Sequence, residues 1–330
     1  MIITRTPYRI SFFGAEIIEK NNFVGSHGSV LSTTIDKFCN ISLKKLPPFY
    51  DYKHRVVYSQ SEVVQTISEI RHPVVRAVME SFKYGFGEAG YEIQHSGDLP
   101  ARSGIGSESA FTVGLIKAFC AELGQIQSKR ELTDYAIKIQ QNISGEQSSS
   151  QDLIASSIGG FNKIVFQKDG QYTVESIKVK YDRLKLLNSH LLLFYSGSEK
   201  AGSTHSVELE LKENQESDKL KFVQPKVDQA MQILLDPDAD IKEFGLLLND
   251  AWNYNRSINS SSDNNISSVF YNKAMQNGAL GGKLLGGDKA SFIMFFAPPS
   301  CHKDIVAHLP GLIHIPFQFE TSGSHTVHLS

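Results

Sequence analysis

The chain has 330 residues, 41% of them hydrophobic and 21% charged, the composition of a globular protein long enough to build two domains. Its 33 Lys and Arg against 35 Asp and Glu leave a formal net charge of −2, which excludes the broad positive field of a nucleic-acid-binding protein. Cys39, Cys120 and Cys301 are too few and too scattered for a disulfide framework or a zinc site. No window reaches the roughly 18 apolar residues of a membrane span, and Met1–Pro7 lacks the basic and apolar regions of a signal peptide; the expected setting is a reducing cytoplasm, with no membrane partner.

In chain order, the first half reads as strands broken by glycine. Ile10-Ser11-Phe12-Phe13 stops at Gly14, Ile41–Leu43 and Val56–Tyr58 follow, and Tyr91–His95 alternates. A helix is expected over about Ser107–Leu123, with Phe111, Leu115, Ala118 and Phe119 on one buried face and Gly124 as its stop. Ser128-Lys129-Arg130-Glu131 forms a capping box that opens a second helix, with the stripe Leu132, Tyr135, Ala136 and Ile139. The short glycine turn between the two helices predicts side-by-side packing.

Beyond residue 185 the pattern restarts. Leu191–Tyr195 reads as a strand, and 206–214, Lys219–Leu235 and Ile241–Asn255 read as helices. Ser260–Asn265 reads as a polar loop capping a further helix, and strands return at Phe292–Phe296, Ile313–Ile315 and Val327–Leu329. Two domains are expected, 1–185 and 186–330, the second of α+β type.

Between these segments lies Leu99-Pro100-Ala101-Arg102-Ser103-Gly104-Ile105-Gly106-Ser107-Glu108-Ser109. Glycines followed at once by a helix let backbone approach an anion and aim free N–H groups at it. A glycine turn before a helix is also an ordinary structural element. The loop completes neither G-x-x-x-x-G-K-[ST] nor G-x-G-x-x-G, since Ser109 stands at the third glycine and no βαβ unit surrounds it.

Pro100-x-x-x-Gly104-Ile105-Gly106-Ser107 resembles the phosphate loop of the GHMP kinases, and the heptose 7-phosphate kinases among them look most similar. The resemblance runs through Thr6–Gly14, Val30–Lys37, Gly97–Gly104, Ser150-Gln151-Asp152, Gly281–Gly286 and Pro316–Glu320. It implies an α+β, two-domain fold: an N-terminal, ATP-binding lobe like domain 2 of ribosomal protein S5, and a ferredoxin-like C-terminal lobe. It also implies ATP and Mg2+ as cofactors, a sugar phosphate as the small-molecule partner, and a homodimer as the assembly to look for.

Residue by residue, the resemblance places Asp152 as the catalytic carboxylate that takes or orients the acceptor proton. Without it, Asp152 reads as a helix N-cap. Arg9 would stabilise the reacting oxygen or the γ-phosphate. Pro100, Arg102, Ser103, Gly104, Ile105, Gly106, Ser107 and Ser109 would form the phosphate site. Gly14, Glu16, Arg256, Lys283, Gly286 and Gly287 would face the sugar.

The ligand-facing motifs depart from the family's pattern. The magnesium positions, a loop hydroxyl and a helix carboxylate, are Glu108 and Gln140 here. Either the carboxylate has moved to the loop, or the metal site is lost; an unscreened carboxylate about 4 Å from phosphate costs roughly 4 kcal/mol at an effective dielectric of 20. Gly14-Ala15-Glu16-Ile17-Ile18 replaces the run of glycines with threonine and aspartate, and Gly287-Asp288-Lys289-Ala290-Ser291 replaces a further glycine run. Lys200 stands where relatives have arginine, and Asn255 and Ser262 where they have lysines. The expected function is ATP-dependent phosphorylation of a sugar phosphate, a heptose 7-phosphate by resemblance. The alternative is a weak or inactive kinase homologue with a binding or regulatory role.

Overall fold

In the computed structural model, which describes residues 1–15, 17–18, 26–101, 104–144, 150–167, 169–197, 213–258, 266–285 and 292–329, the strand expected at 10–13 is the end of a far longer one. β1 spans Ile2–Gly14, followed by β2 (Ile17–Ile18) and β3 (Ser26–Leu46). Then come β4 (His54–Val57), β5 (Ser61–Val64), α1 (Pro73–Phe82), β6 (Gly90–Gly97), α2 (Ser107–Glu122), α3 (Lys129–Ser144) and α4 (Gln151–Ile158). β7 (Asn162–Phe166), β8 (Tyr172–Ser176) and α5 (Tyr181–Ser189) complete the first half. The second half holds β9 (Leu191–Tyr195), α6 (Glu213–Leu235), α7 (Lys242–Ile258), α8 (Ile266–Gln276), β10 (Gly281–Leu285), β11 (Phe292–Phe296) and α9 (His302–His308). It closes with β12 (Ile313–Ile315), β13 (Phe319–Glu320) and β14 (His325–Leu329).

Among the described residues the strands form two sheets. The larger runs β14-β1-β3-β6-β4-β5, with β2, β7 and β13 also on β3 and β8 on β7. β3 is its organiser: Cys39–Leu46 pairs with β6, while Gly28–Ser32 pairs with β7. β1 touches α2, α4, α6 and α7, so Thr6–Phe13 is buried without alternation. The smaller sheet is antiparallel, β10-β11-β9-β12. Phe292, Met294 and Phe296 of β11 join the main core, while Ile293 and Phe295 join a second cluster with Trp252 and Tyr271.

Two expectations change. The face predicted for α2 is buried, but so are Val113, Ile116 and Cys120. α2 packs against β1, β3, α1, α3 and α4, so it is a central layer and not an amphipathic cover. Next, Val327–Leu329 does not belong to the second sheet: β14 pairs with β1 and β13 with β3. A cut at residue 185 therefore does not separate the sheets. Their apolar core is continuous as well, because Phe244 of α7 meets Phe12 and Phe13, each at 5.2 Å between ring centres, and Phe296 at 6.2 Å. The predicted α3 capping box is present: Ser128 N–H donates to Glu131 Oε2 at 2.8 Å and Glu131 N–H to Ser128 Oγ at 3.2 Å. The predicted helix at 206–214 is described only from Glu213, and the loop Ser260–Asn265 lies outside the described residues.

Candidate active site

The loop before α2 is fixed from both ends. Upstream, Asp98 Oδ2 accepts Phe38 N–H at 2.8 Å, Asp98 N–H donates to Phe38 O at 2.9 Å, and Leu99 is buried. Downstream, Gly106 caps α2 in the left-handed conformation, φ 74°, which only glycine adopts cheaply. Between them Ile105 is fully buried, and its carbonyl accepts Arg9 N–H at 3.3 Å. β1 thus runs alongside the loop, and the positive end of α2 faces it.

The same contact brings in a charge pair. Arg9 Nε donates to Asp152 Oδ1 at 2.5 Å, and Nη2 pairs with the same oxygen. Asp152 is the second residue of α4, whose cap position is Ser150, so its carboxylate serves Arg9 and not the helix end. A Cβ added at Gly106 would sit 3.2 Å from Arg9 Cγ and 3.5 Å from Asp152 Oδ2. Loop glycine, guanidinium and carboxylate, far apart in sequence, therefore share one spot. Arg9 is buried and Asp152 part-exposed, at 9% and 21% of side-chain surface, so the pair is anchored on one side and open on the other.

The remaining predicted residues fall at varied distances from this spot. Ser107 and Ser109 are buried in the first turn of α2, whereas Glu108 between them is exposed. Gln140 is half-buried on α3, and Pro100 is exposed. Gly14, φ 87°, ends β1 so close to β3 that a Cβ would lie 1.9 Å from Ser29 O. Lys283 Nζ donates to Phe12 O at 3.0 Å, three residues along β1 from Arg9. Arg256 sits near the end of α7. Glu16, Arg102, Ser103, Lys200, Ser262, Gly286, Gly287 and 288–291 lie outside the described residues.

Two features of the site carry no motif. The end of α4 is gripped by the segment after β13: Ser324 N–H donates to Ser156 O at 3.0 Å, and a Cβ on Gly323 would lie 2.0 Å from Ser157 O. One turn into α2, Phe111 is ringed by His72 at 4.9 Å and His95 at 5.2 Å, with Tyr58 edge-on to His72 at 4.9 Å. Burial lowers the pKa of His95, so it presents a neutral ring. Paired spacing within a helix can be read from sequence, but rings from β4–β5, α1, β6 and α2 meet only in the fold.

The chemistry of the loop fits a phosphate, since glycine backbone at the positive end of α2 lies beside the Arg9 side chain. Among the described residues no three His, Cys, Asp or Glu side chains gather as a metal site. Magnesium needs fewer protein ligands when phosphate is present: one or two carboxylates, phosphate oxygens and water. Glu108 is a carboxylate exposed in the first turn of α2.

Comparison with known proteins agrees with the architecture. Residues 70–160, from the start of α1 to the end of α4, match the GHMP kinases N terminal domain. The D-glycero-alpha-D-manno-heptose 7-phosphate kinase of Campylobacter jejuni is 24% identical over 326 residues, 93% of either chain. A mevalonate kinase of Pyrococcus horikoshii is 25% identical over 247 residues, 72% of this chain and 67% of that one. Among solved structures, a D-glycero-D-manno-heptose 1-phosphate kinase from Bacteroides thetaiotaomicron superposes with a TM-score of 0.80 at 20% identity, covering 100% of both chains. Residues 70–160 are thus a GHMP kinases N terminal domain, and the whole chain has the fold of the heptose and mevalonate kinases of known structure.

Proposed function

We propose that this chain is an ATP-dependent sugar-phosphate kinase whose acceptor is a heptose phosphate. One observation carries the reading: Asp152 Oδ2 faces the phosphate loop at Gly106 while Oδ1 is taken by Arg9. A carboxylate held in this way has one oxygen left to receive or orient an acceptor hydroxyl, and its charge is offset by a guanidinium at the moment a phosphate approaches. The similarity to heptose kinases in sequence and fold supports the acceptor class.

In this reading the loop from Pro100 to Ser109 binds the nucleotide's phosphates, Gly104 and Gly106 letting the backbone come close. The aromatic shelf of Tyr58, His72 and His95 around Phe111 receives the base. Glu108 holds magnesium, with the carboxamide of Gln140 as a neutral neighbour; the metal, when bound, neutralises charge on the transferring group. Arg9 orients Asp152, and Lys283, tied to the β1 backbone, lines the acceptor side with Arg256 and Gly14. The two domains, 1–185 and 186–330 with the 319–329 strands returned to the first sheet, would contribute the nucleotide and acceptor walls. The working setting is the cytoplasm.

A second reading rests on Glu108 itself. A carboxylate in the mouth of a phosphate loop repels an anion if no cation lies between, and a chain in that state would be a binding or regulatory homologue. Titration with ATP by calorimetry, with and without magnesium, and ADP release with D-glycero-D-manno-heptose 7-phosphate separate the two. The kinase reading requires magnesium-dependent ATP binding and ADP release that depends on the sugar phosphate. ATP that fails to bind at millimolar concentration overturns it in favour of the regulatory reading.

A further inference from the structure

We infer that the cleft between α5, β9, β12 and α9 binds a small phosphate monoester, its phosphate on Lys185, His302 and His314. The cleft measures about 320 Å³, at the lower end of the range for small-molecule sites. None of the loop or charge-pair residues lines it, so the inference is independent of the kinase reading. Its cationic and protonatable groups come from three elements: Lys185 on α5, His302 at the start of α9, and His314 on β12. Among the described residues no Asp or Glu lines it. A cleft with this bias of sign selects an anion.

These groups are uncommitted. Lys185 and His314 make no hydrogen bond or ion pair among the described residues. His302 Nε2–H donates to Ala297 O at 3.1 Å, which leaves Nδ1 without a partner there. Burial, and then the nearby His302, lower the pKa of His314; a bound dianion offsets that repulsion, so ligand and proton bind together. The other charged groups at hand are already engaged. His190, just past α5, is also near His302, and its Nδ1–H donates to Leu186 O at 2.8 Å, with Asp240 and Lys242 beyond it. Asp36 accepts Gln318 N–H at 2.9 Å and pairs with Lys37 at 3.0 Å. The walls are fixed before a ligand arrives: Asn188 Nδ2 donates to Phe317 O at 3.4 Å, and Gln318 O accepts Asp36 N–H at 2.9 Å. Leu192 and Phe317, both buried, give the cleft an apolar side. Three donors answer the three oxygens of a phosphate, and the apolar side answers a short organic body, so an ester fits better than the free ion.

Proton–carbon NMR of the full chain, labelled in its histidine rings, tests this at about pH 6.5. Inorganic phosphate and glycerol 3-phosphate are titrated in turn, and His302→Gln and His314→Gln assign the two ring signals. Glycerol 3-phosphate should move both signals together and saturate in the low millimolar range or below, several-fold tighter than inorganic phosphate. In the saturated protein the His314 pKa should rise by about one unit. Lys185→Gln, at an exposed position, should weaken the ester about five-fold or more with the thermal denaturation midpoint unchanged. His72 and His95 report on the phosphate-loop side. Movement of those two signals alone, no saturation by tens of millimolar ester, equal affinity for the two anions, or indifference to Lys185→Gln overturns the inference.

Discussion

At the scale of single residues, the Arg9–Asp152 pair makes the sharpest demand. Asp152→Asn keeps the shape of the side chain but removes the proton acceptor, so kcat for sugar-phosphate-dependent ADP release should fall by about 10²–10⁴ while ATP binding by calorimetry stays within a few-fold. A loss of ATP affinity with unchanged kcat would place Asp152 in binding and not in the chemistry. Glu108 divides its two roles by sign. As a magnesium ligand, Glu108→Ser lowers metal affinity; as a bare charge, the same change raises ATP affinity in metal-free buffer by up to hundreds-fold, the equivalent of the roughly 4 kcal/mol repulsion. Isothermal titration of ATP against wild type and variant decides it. These residues were legible because each stands inside a compact motif: Gly104 and Gly106 before a helix, and Asp152 after Ser-Gln. The ring shelf was not, since Tyr58, His72, His95 and Phe111 come from separate elements and no local spacing records their meeting.

At the scale of elements, α4 is the part most dependent on its surroundings. It has eight residues, too short to be stable alone, and its far end rests on the segment around Gly323. Gly323→Ala would push a methyl group into Ser157 O, with no flexible side chain to give way. The expected result is a loss of about 1–3 kcal/mol in stability and a fall in kcat larger than any change in KM for ATP, read by thermal denaturation and steady-state kinetics. A variant with lowered Tm but unaltered kcat at permissive temperature would show that Asp152 does not need this support. Element existence was well marked by apolar runs and by the Ser128 capping box. Element extent was not. β1 and β3 continue through polar residues such as Thr4, Thr6, Thr33 and Thr34, all fully buried, because hydroxyls find partners in the fold: Thr4 on Gly114 O, Thr6 on Ser324, Thr34 on Glu320 O. A pattern of apolar alternation counts such positions as exposed. It also treats α2 as a cover, since nothing within one helix reveals that a second layer packs on its other side.

At the scale of the whole molecule, buried and half-buried histidines set the response to acid. Burial, with Lys53 nearby, lowers His54 to about 4 from an ordinary value of 6.5, and burial lowers His95, His190 and His314 in the same direction. The unfolded chain binds these protons before the folded one does. Stability is therefore full above about pH 6.5 and declines as pH falls toward 4, His54 alone accounting for about 3 kcal/mol. Urea midpoints measured between pH 7 and 4.5 should fall steadily. His54→Leu, which removes a buried Nδ1 with no hydrogen-bond partner, should flatten that decline; an unchanged slope would assign the acid sensitivity elsewhere.

The pairing of β14 with β1 joins Ile2 to Leu329, and this has a consequence for biosynthesis. A chain emerging from the ribosome displays Arg9, the glycine loop and Asp152 before its first half is made, yet the strand that completes their sheet and the glycine that steadies α4 are translated near residue 325. Until then one edge of β1 is open and must be kept from pairing with other chains. The support for α4 and for this edge of β1 is thus completed late in synthesis, and a nascent chain stalled before residue 319 carries Arg9, the loop and Asp152 without it.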